Sequence, residues 1–398
     1  MANVLGVTMG EPMGDELHDA LAVARRDHRT AADPATGATV VLRYDDCEQL
    51  AHDRRIDGVG LRLFDLLGVG DGRLRSWYGG LMFTTEGAHH DRLRRLVARA
   101  FTPRAVEELR IDTARAATAA LAPVRADGGG DLGAALGTLP MQAMCRLLGV
   151  PPEDVPEFAA WADTLSVVFG VMTPEQVAAA EVAIGDLLAY VDRLVERRRR
   201  DPGPDLITAL LAAEADGGRL THDEVVAMVA NLLVGGHDTT RGQLYNTLHT
   251  LVRHPAELDR LAADRALLAS AVNETMRIEP SLGFVPRTLV EPVVLDVEVP
   301  AGSLLLLCSA SANRDETHWD RAGTFDVTRF AAPGAPRVLT FGAGAHHCLG
   351  AALARLTVEE GVAAVLDLGP VHAAEDPDAV PWRIVLGRSP ERVAVALG

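Results

Sequence analysis

The chain has no lysine, so all 38 of its basic residues are arginine, a pattern we attribute to the codon bias of a GC-rich genome. It also lacks any run of about 18 consecutive apolar residues, which argues against a membrane-spanning helix. Residues 1–14 show neither a basic leader nor an apolar core, so neither an export signal nor a membrane anchor is expected. Cysteine is sparse: Cys47, Cys145, Cys308 and Cys348 lie far apart, mostly in apolar surroundings. A disulfide framework is therefore not expected, and a reducing, cytoplasmic setting is. Acidic residues outnumber basic ones by 55 to 38, a net charge of −17, and no basic patch laced with aromatics occurs. That combination argues against a nucleic-acid partner.

What is present points to helices. With 398 residues, 48% of them hydrophobic, the chain can bury a large core. Length alone would allow two or three domains, but long helical patterns with few linkers favour one large, mainly helical unit. Helices are expected over residues 15–28, 89–101, 104–124, 138–149, 153–171 and 174–200, with a glycine-rich turn at Gly128–Gly130. Residues 38–44 read as a strand. Residues 58–87 are rich in glycine, leucine and aromatics, with poor periodicity, and read as a long loop with a little helix. Long ordered loops are often functional. Residues 165–172 are apolar enough for a lid or for core, and the run Arg197–Arg200 reads as a solvated helix end. Further on, residues 284–287, 293–299 and 303–308 read as strands. Residues 382–386 and 392–397 read as a final hairpin whose tip lies near Ser389 and Pro390.

Thr221 and Glu224 form a capping-box pattern that opens a very long helix, ending near Arg253. Its middle reads Gly235-Gly236-His237-Asp238-Thr239-Thr240. Interior glycines cost a helix about 1 kcal/mol each relative to alanine. Glycine permits close approach of a ligand, and a threonine hydroxyl can bond an upstream carbonyl and open the helix locally. Plain scaffolding would avoid such a run. Two more helical stretches cover residues 255–278, the second carrying Glu274 and Arg277 three apart. Earlier, the helix over 89–101 places Arg92, Arg95 and Arg99 on one face and His90 with Arg94 on another. Two donors one turn apart suit a carboxylate.

The stretch that organises the chain is Phe341-Gly342-Ala343-Gly344-Ala345-His346-His347-Cys348-Leu349-Gly350. Glycine at 342 and 344 can take positive φ and turn amides toward the sulfur, and the helix expected from Ala351 adds partial positive charge that favours a thiolate. A dinucleotide loop would need a third glycine at position 347, where His347 stands. Zinc would need three consecutive ligands, which strains tetrahedral geometry, and no paired-cysteine spacing occurs.

This stretch resembles the haem-binding loop of the cytochrome P450 family in its phenylalanine, both glycines, histidine, cysteine and closing glycine. The resemblance implies a mainly α fold with small β-sheets, a single domain over residues 1–398, and a long central helix over haem. It implies Cys348 as the axial ligand of haem b (iron protoporphyrin IX), with Phe341, His346 and Gly350 around it. His90, Arg94 and Arg287 fall where the family binds haem propionates. Asp238 and Thr239 match the acid–alcohol pair of the oxygen-binding groove, which relays protons. Glu274, Arg277 and Arg329 match a structural Glu–Arg–Arg set, and residues 58–87 match the loop over the substrate pocket. One departure is Glu391, at a position usually leucine.

The implied reaction inserts one atom of O2 into a small organic substrate, apolar or a natural product. The two electrons come from ferredoxin and ferredoxin reductase, since no flavin or ferredoxin segment is present. Arg92, Arg95 and Arg99, extended by Arg104 and Arg355, are expected to steer that acidic donor. Two alternatives remain at this point: a haem-thiolate catalyst of oxidative bond formation or peroxide-dependent oxidation, and a haem sensor or carrier.

Overall fold

The capping box expected at Thr221 forms in the computed structural model, which describes residues 3–11, 13–215 and 218–398. The Thr221 hydroxyl accepts the Glu224 amide at 3.2 Å, and the Glu224 carboxylate accepts the Thr221 amide at 2.8 Å. The helix that follows has 32 residues, so it spans about 48 Å at 1.5 Å per residue. A second capping box, Thr173 with Gln176, opens the other long helix.

The helices that matter for the site are α1 (Asp15–Asp27), α2 (Gly87–Ala100), α3 (Leu139–Leu148), α4 (Val155–Ser166), α5 (Pro174–Arg200), α6 (His222–Arg253), α7 (Pro255–Ala263), α8 (Leu268–Ile278) and α9 (Ala351–Leu366). Two hydrophobic cores share α6. Its N-terminal half, through Val225, Val229 and Leu233, packs with α3, α4 and α5. Its C-terminal half, through Leu244, Leu248 and Leu251, packs with α8 and α9. Each fully buried aliphatic side chain contributes about 1.5–3 kcal/mol, so both halves are firmly held. The polar run between them lies at the seam.

The strands are short. Those used below are β1 (Thr30–Ala32), β2 (Thr39–Val41), β3 (Ile56–Asp57), β4 (Gly129–Asp131), β5 (Val285–Leu289), β6 (Leu304–Leu307), β7 (Val371–Ala373), β8 (Trp382–Ile384), β9 (Arg388–Pro390) and β10 (Ala394–Leu397). One sheet runs β1-β2-β6-β5-β3, with β2 and β6 parallel and the other pairs antiparallel. Another runs β7-β10-β4. Mostly helical with small sheets, the architecture is the one expected.

Four local readings are corrected. Residues 392–397 do not return against 382–386. Instead β8 pairs with β9, with Ile384 opposite Arg388, while β10 joins β7 and β4. The hairpin turn is thus at residues 385–387, and Ser389 and Pro390 lie buried in a strand. The reason is Gly387, whose missing side chain lets the chain turn early against α6. The glycine-rich turn at 128–130 also supplies a strand, because a Cβ on Gly129 would lie 2.5 Å from the Val395 carbonyl oxygen that it approaches. Tyr44 begins a helix, Tyr44–Ala51, where a continuing strand was expected. In the run Arg197–Arg200, Arg198 is half-buried, pairing with Asp205 and donating to the Gly149 carbonyl at 3.1 Å.

Two buried carboxylates tie the irregular C-terminal chain to α8. Glu274 accepts Arg277 Nε at 2.7 Å, Arg329 Nε at 3.0 Å and the Asp326 amide at 3.1 Å. Arg277 spends its remaining donors on the Asn313, Ala322 and Thr324 carbonyls. Neither Glu274 nor Arg277 has measurable exposure. Glu279 is the second: Arg314 and Arg388 donate to it at 3.0 and 2.8 Å, and His18 Nε2 of α1 lies 2.9 Å away.

Because a lone buried charge is more costly than a buried pair, Glu274→Ala should lower unfolding free energy by about 3–5 kcal/mol. Chemical denaturation checks this, and a loss under about 1 kcal/mol would reduce the pair to the worth of a surface bridge. A pH dependence follows from His18. Burial, reinforced by Arg314, pushes its imidazole from 6.5 down to about 4. Burial also pushes the Glu279 carboxyl up, but its cationic neighbours outweigh that and hold it well below the usual range. Since His18 is uncharged at neutral pH, we assign that lowering to Arg388 and Arg314. Between about 6.5 and 4 the unfolded chain binds a proton on His18 that the folded chain refuses, so stability is lost as pH falls through that window. His18→Gln should flatten the decline of the thermal midpoint there; an equally steep decline would assign it to another group.

Candidate active site

The glycine loop is built by close approach. Gly342 and Gly344 have φ of +68° and +67°, which a side chain would strain. A Cβ on Gly344 would also sit 1.9 Å from the Ala51 carbonyl oxygen, so the loop lies flat on the helix ending there. The Cys348 amide closes the loop on the Phe341 carbonyl at 2.9 Å. Gly350 is the cap of α9, so Cys348 stands two residues ahead of it. Arg355, on the first turn and a half of α9, stacks on Phe341 with its guanidinium carbon 4.4 Å from the ring centre.

Cys348 is exposed, whereas Cys47, Cys145 and Cys308 are buried. Burial pushes Cys145 and Cys308 up to about 12. Crowding by its surroundings also raises the Cys348 thiol, against the pull of the Gly350 and Ala351 amides and of Arg94 and Arg355. The sulfur is thus accessible yet closely surrounded by protein. The net upward direction differs from the thiolate expected of a helix N-terminus, because desolvation outweighs the partial charges.

On α6, the two glycines have separate uses. A Cβ on Gly236 would strike Met144 Cε at 2.6 Å, so this glycine serves packing against α3. Gly235 is exposed, and a Cβ there would meet only Asn231 Oδ1, at 3.9 Å. It faces open space. Thr239 makes the expected back-bond, its hydroxyl donating to the Gly235 carbonyl at 3.0 Å. The helix stays continuous through this point, so the expected local opening is not present.

Asp238 is buried and its carboxylate receives three donors. Arg241 reaches Oδ1 at 2.8 Å, and the Leu386 and Gly387 amides reach Oδ2 at 3.0 and 2.8 Å. Arg241 also contacts Asp163 of α4 at 2.9 Å, and buried His237 has Nε2 3.3 Å from the same carboxylate oxygen. Sequence reasoning missed Asp163, Arg241 and the hairpin amides. Only the i, i+3 spacing of Asp238 and Arg241 could have signalled any of them.

A ring of polar groups surrounds the loop. His90 is buried, its Nδ1 3.2 Å from Asp91 and its Nε2 without a hydrogen-bond partner. Its ring centre lies 4.3 Å from that of His346, whose Nε2 is 3.0 Å from both oxygens of Glu86. Arg94 donates to the His347 carbonyl. Among the described residues, Arg287 donates only to the neighbouring Pro286 carbonyl, at 3.0 Å. Burial lowers both Arg94 and Arg287, with Glu86 working the other way on Arg287.

The two apolar segments read as pocket loop and lid do meet. Phe83 and Tyr78 lie 5.5 and 6.0 Å from Phe169, ring centre to ring centre. The arginine patch is corrected. Arg92 pairs with Glu224, the capping carboxylate of α6, and is committed to holding α2 against α6. Arg104 pairs with Glu108 of its own helix, and Arg355 faces inward onto Phe341. Among the described residues, no group of three or more His, Cys, Asp or Glu side chains is arranged to hold a metal ion.

The family model described as Cytochrome P450 matches residues 157–380. Cytochrome P450 107B1 of Saccharopolyspora erythraea is 35% identical over 372 residues, covering 91% of this chain and 89% of that protein. The vitamin D(3) 25-hydroxylase of Pseudonocardia autotrophica is 38% identical over 280 residues, covering 69% and 67%. Among solved structures, CalO2 matches with a TM-score of 0.90 at 28% identity, over 98% of this chain and 99% of that one. The chain belongs to the cytochrome P450 family, whose enzymes are haem-thiolate monooxygenases. No described helix is long and apolar enough to cross a membrane.

Proposed function

We propose that residues 1–398 form one catalytic domain, cytoplasmic, that binds haem b through Cys348 and inserts one oxygen atom of O2 into an apolar organic substrate. The observation that carries this is the accessible Cys348 sulfur, set beside two amides and two guanidinium groups in a chain whose other thiols are buried. The residues suit the cofactor. A bound metal cation would convert the raised thiol to thiolate. The unpartnered Nε2 of His90 and the poorly satisfied Arg287 suit the propionates, together with Arg94 and His346. The Phe341 carbonyl accepts the Cys348 amide, Gly350 lies beside the sulfur, and Gly235 of α6 faces open space.

Haem iron with a thiolate ligand supplies reductive activation of oxygen, the thiolate favouring O–O cleavage. The chain's own residues then manage protons and water. Thr239 Oγ1, its own proton given to the Gly235 carbonyl, is left as an acceptor at the seam of α6, where it can fix a proton-carrying group. Asp238 carries protons to it from outside. The aromatic contact of Phe83 with Phe169 supports an apolar substrate enclosed by the two segments. The similarity to a vitamin D(3) hydroxylase supports hydroxylation of a large hydrophobic molecule, in preference to bond formation or a carrier role. Electrons come from a ferredoxin and its reductase.

Purified protein should bind haem and, when reduced under carbon monoxide, show the red-shifted Soret band of thiolate ligation. Cys348→Ser should abolish that band, and its persistence would remove Cys348 from the iron. Thr239→Ala should leave substrate binding, read as displacement of the iron's water in the haem spectrum, nearly intact. Peroxide released per reducing equivalent should rise, because general acid–base help of this kind speeds its step by about 10²–10⁴-fold. An unchanged ratio would remove Thr239 from proton delivery. Product analysis with reductant and O2 separates hydroxylation from the other outcomes.

A further inference from the structure

The hairpin β8–β9 reaches the centre of α6 only because two glycines face each other across one serine. A Cβ on Gly387 would lie 2.3 Å from Ser281 Oγ, and one on Gly242 of α6 would lie 2.6 Å from the same oxygen. Ser281 Oγ is itself buried without a hydrogen-bond partner. The turn therefore rests on α6 at backbone distance, and its amides at 386 and 387 close on Asp238 Oδ2.

The next residue fixes the hairpin. Arg388 is 3% exposed, and its guanidinium reaches Glu279 at 2.8 Å, the Met13 carbonyl at 2.6 Å and the Gly14 carbonyl at 3.0 Å. Its own amide donates to the Ser281 carbonyl at 2.7 Å, and its carbonyl accepts from Asn246 of α6 at 3.0 Å. The segment preceding α1 and Glu279 thus both hold Arg388, whose chain neighbours 386 and 387 hold the carboxylate of Asp238.

A carboxylate offers about four acceptor positions. Oδ2 of Asp238 is filled by two amides, while Oδ1 receives only Arg241. We propose that Gly387 and Arg388 are positioning residues for proton delivery: Arg388 anchors the hairpin, and its turn amides occupy Oδ2, leaving one position on Oδ1 as the site that takes up and releases the proton. This rests on the assignment of Asp238 to the proton relay. The role belongs to the turn, not to a side chain that touches the reacting atoms. The N-terminal segment is part of the support, since it receives two of the Arg388 donors.

The test needs no substrate. With a plant-type ferredoxin and its NADPH-dependent reductase as electron source, O2 goes either to hydrogen peroxide (two electrons, two protons) or to two waters (four electrons, four protons). The second route requires protons delivered at the iron. Peroxide per NADPH is measured, in H2O and D2O, for the haem-loaded protein and for Asp238→Asn, Gly387→Ala, Arg388→Lys, Ser281→Ala and the Ser281→Ala, Gly387→Ala pair. A displaced relay group can slow its step by up to about 100-fold. We expect Gly387→Ala and Arg388→Lys to raise the peroxide yield and its D2O sensitivity in the direction of Asp238→Asn, with the carbon monoxide spectrum unaltered. Ser281→Ala alone should do nothing, and in the double variant it should restore the yield toward the parent value. If Asp238→Asn raises peroxide but both Gly387→Ala and Arg388→Lys behave as the parent, the positioning role is wrong while the relay stands. If Asp238→Asn itself changes nothing, the relay assignment fails and the positioning role falls with it. Should Gly387→Ala not yield folded protein, Arg388→Lys decides alone.

Discussion

Helix α6 belongs to both hydrophobic cores, and a capping box sets the residue at which it starts. Its two halves are locked by Val225, Val229 and Leu233 on one side and Leu244, Leu248 and Leu251 on the other. A rigid rod clamped at both ends can tolerate a weak middle. The glycines, the back-bonded threonine and the buried acid sit in that middle, where a shorter or singly packed helix would fray. Had the same run stood near a terminus, its local cost would have unwound it. The candidate site therefore depends on packing some distance to either side of it.

Burying charge is the second constraint, and it is met twice within one short segment. Glu274 and Glu279 flank the end of α8, each surrounded by arginine donors. An isolated carboxylate in that position would not remain charged, so each pair commits several chain segments at once. Glu274 binds the irregular stretch around Asp326 and Arg329. Glu279 gathers α1, the region of Arg314 and the C-terminal hairpin. These segments also pack, through Phe325 and Val327 on one side and Leu17 and Leu21 of α1 on the other. Directional ionic contacts add an orientation that apolar packing does not specify.

Several features were legible in the chain. The capping box, the glycine loop before α9 and the i, i+3 pair in α8 are local patterns, each written within a few residues, and all formed at the expected places. The C-terminal hairpin was misread because alternation over residues 382–397 is satisfied by two registers. The choice between them falls to Gly387 meeting Ser281, a contact between distant segments. The arginine face of α2 was misread for a related reason. Helical periodicity says which side chains share a face, but not that a carboxylate from α6 waits opposite Arg92.

The sequence by itself determined the helices, the loop that presents Cys348, and the family to which the chain belongs, because those depend on propensity, caps and short motifs. Only the tertiary structure decided which of four thiols stays accessible, which interior glycine faces open space, and what holds Asp238. Those outcomes depend on desolvation and on contacts between residues far apart in the chain, 149 positions for Asp238 and Gly387. No local pattern encodes such a distance. It appears only when the cores bring the segments together.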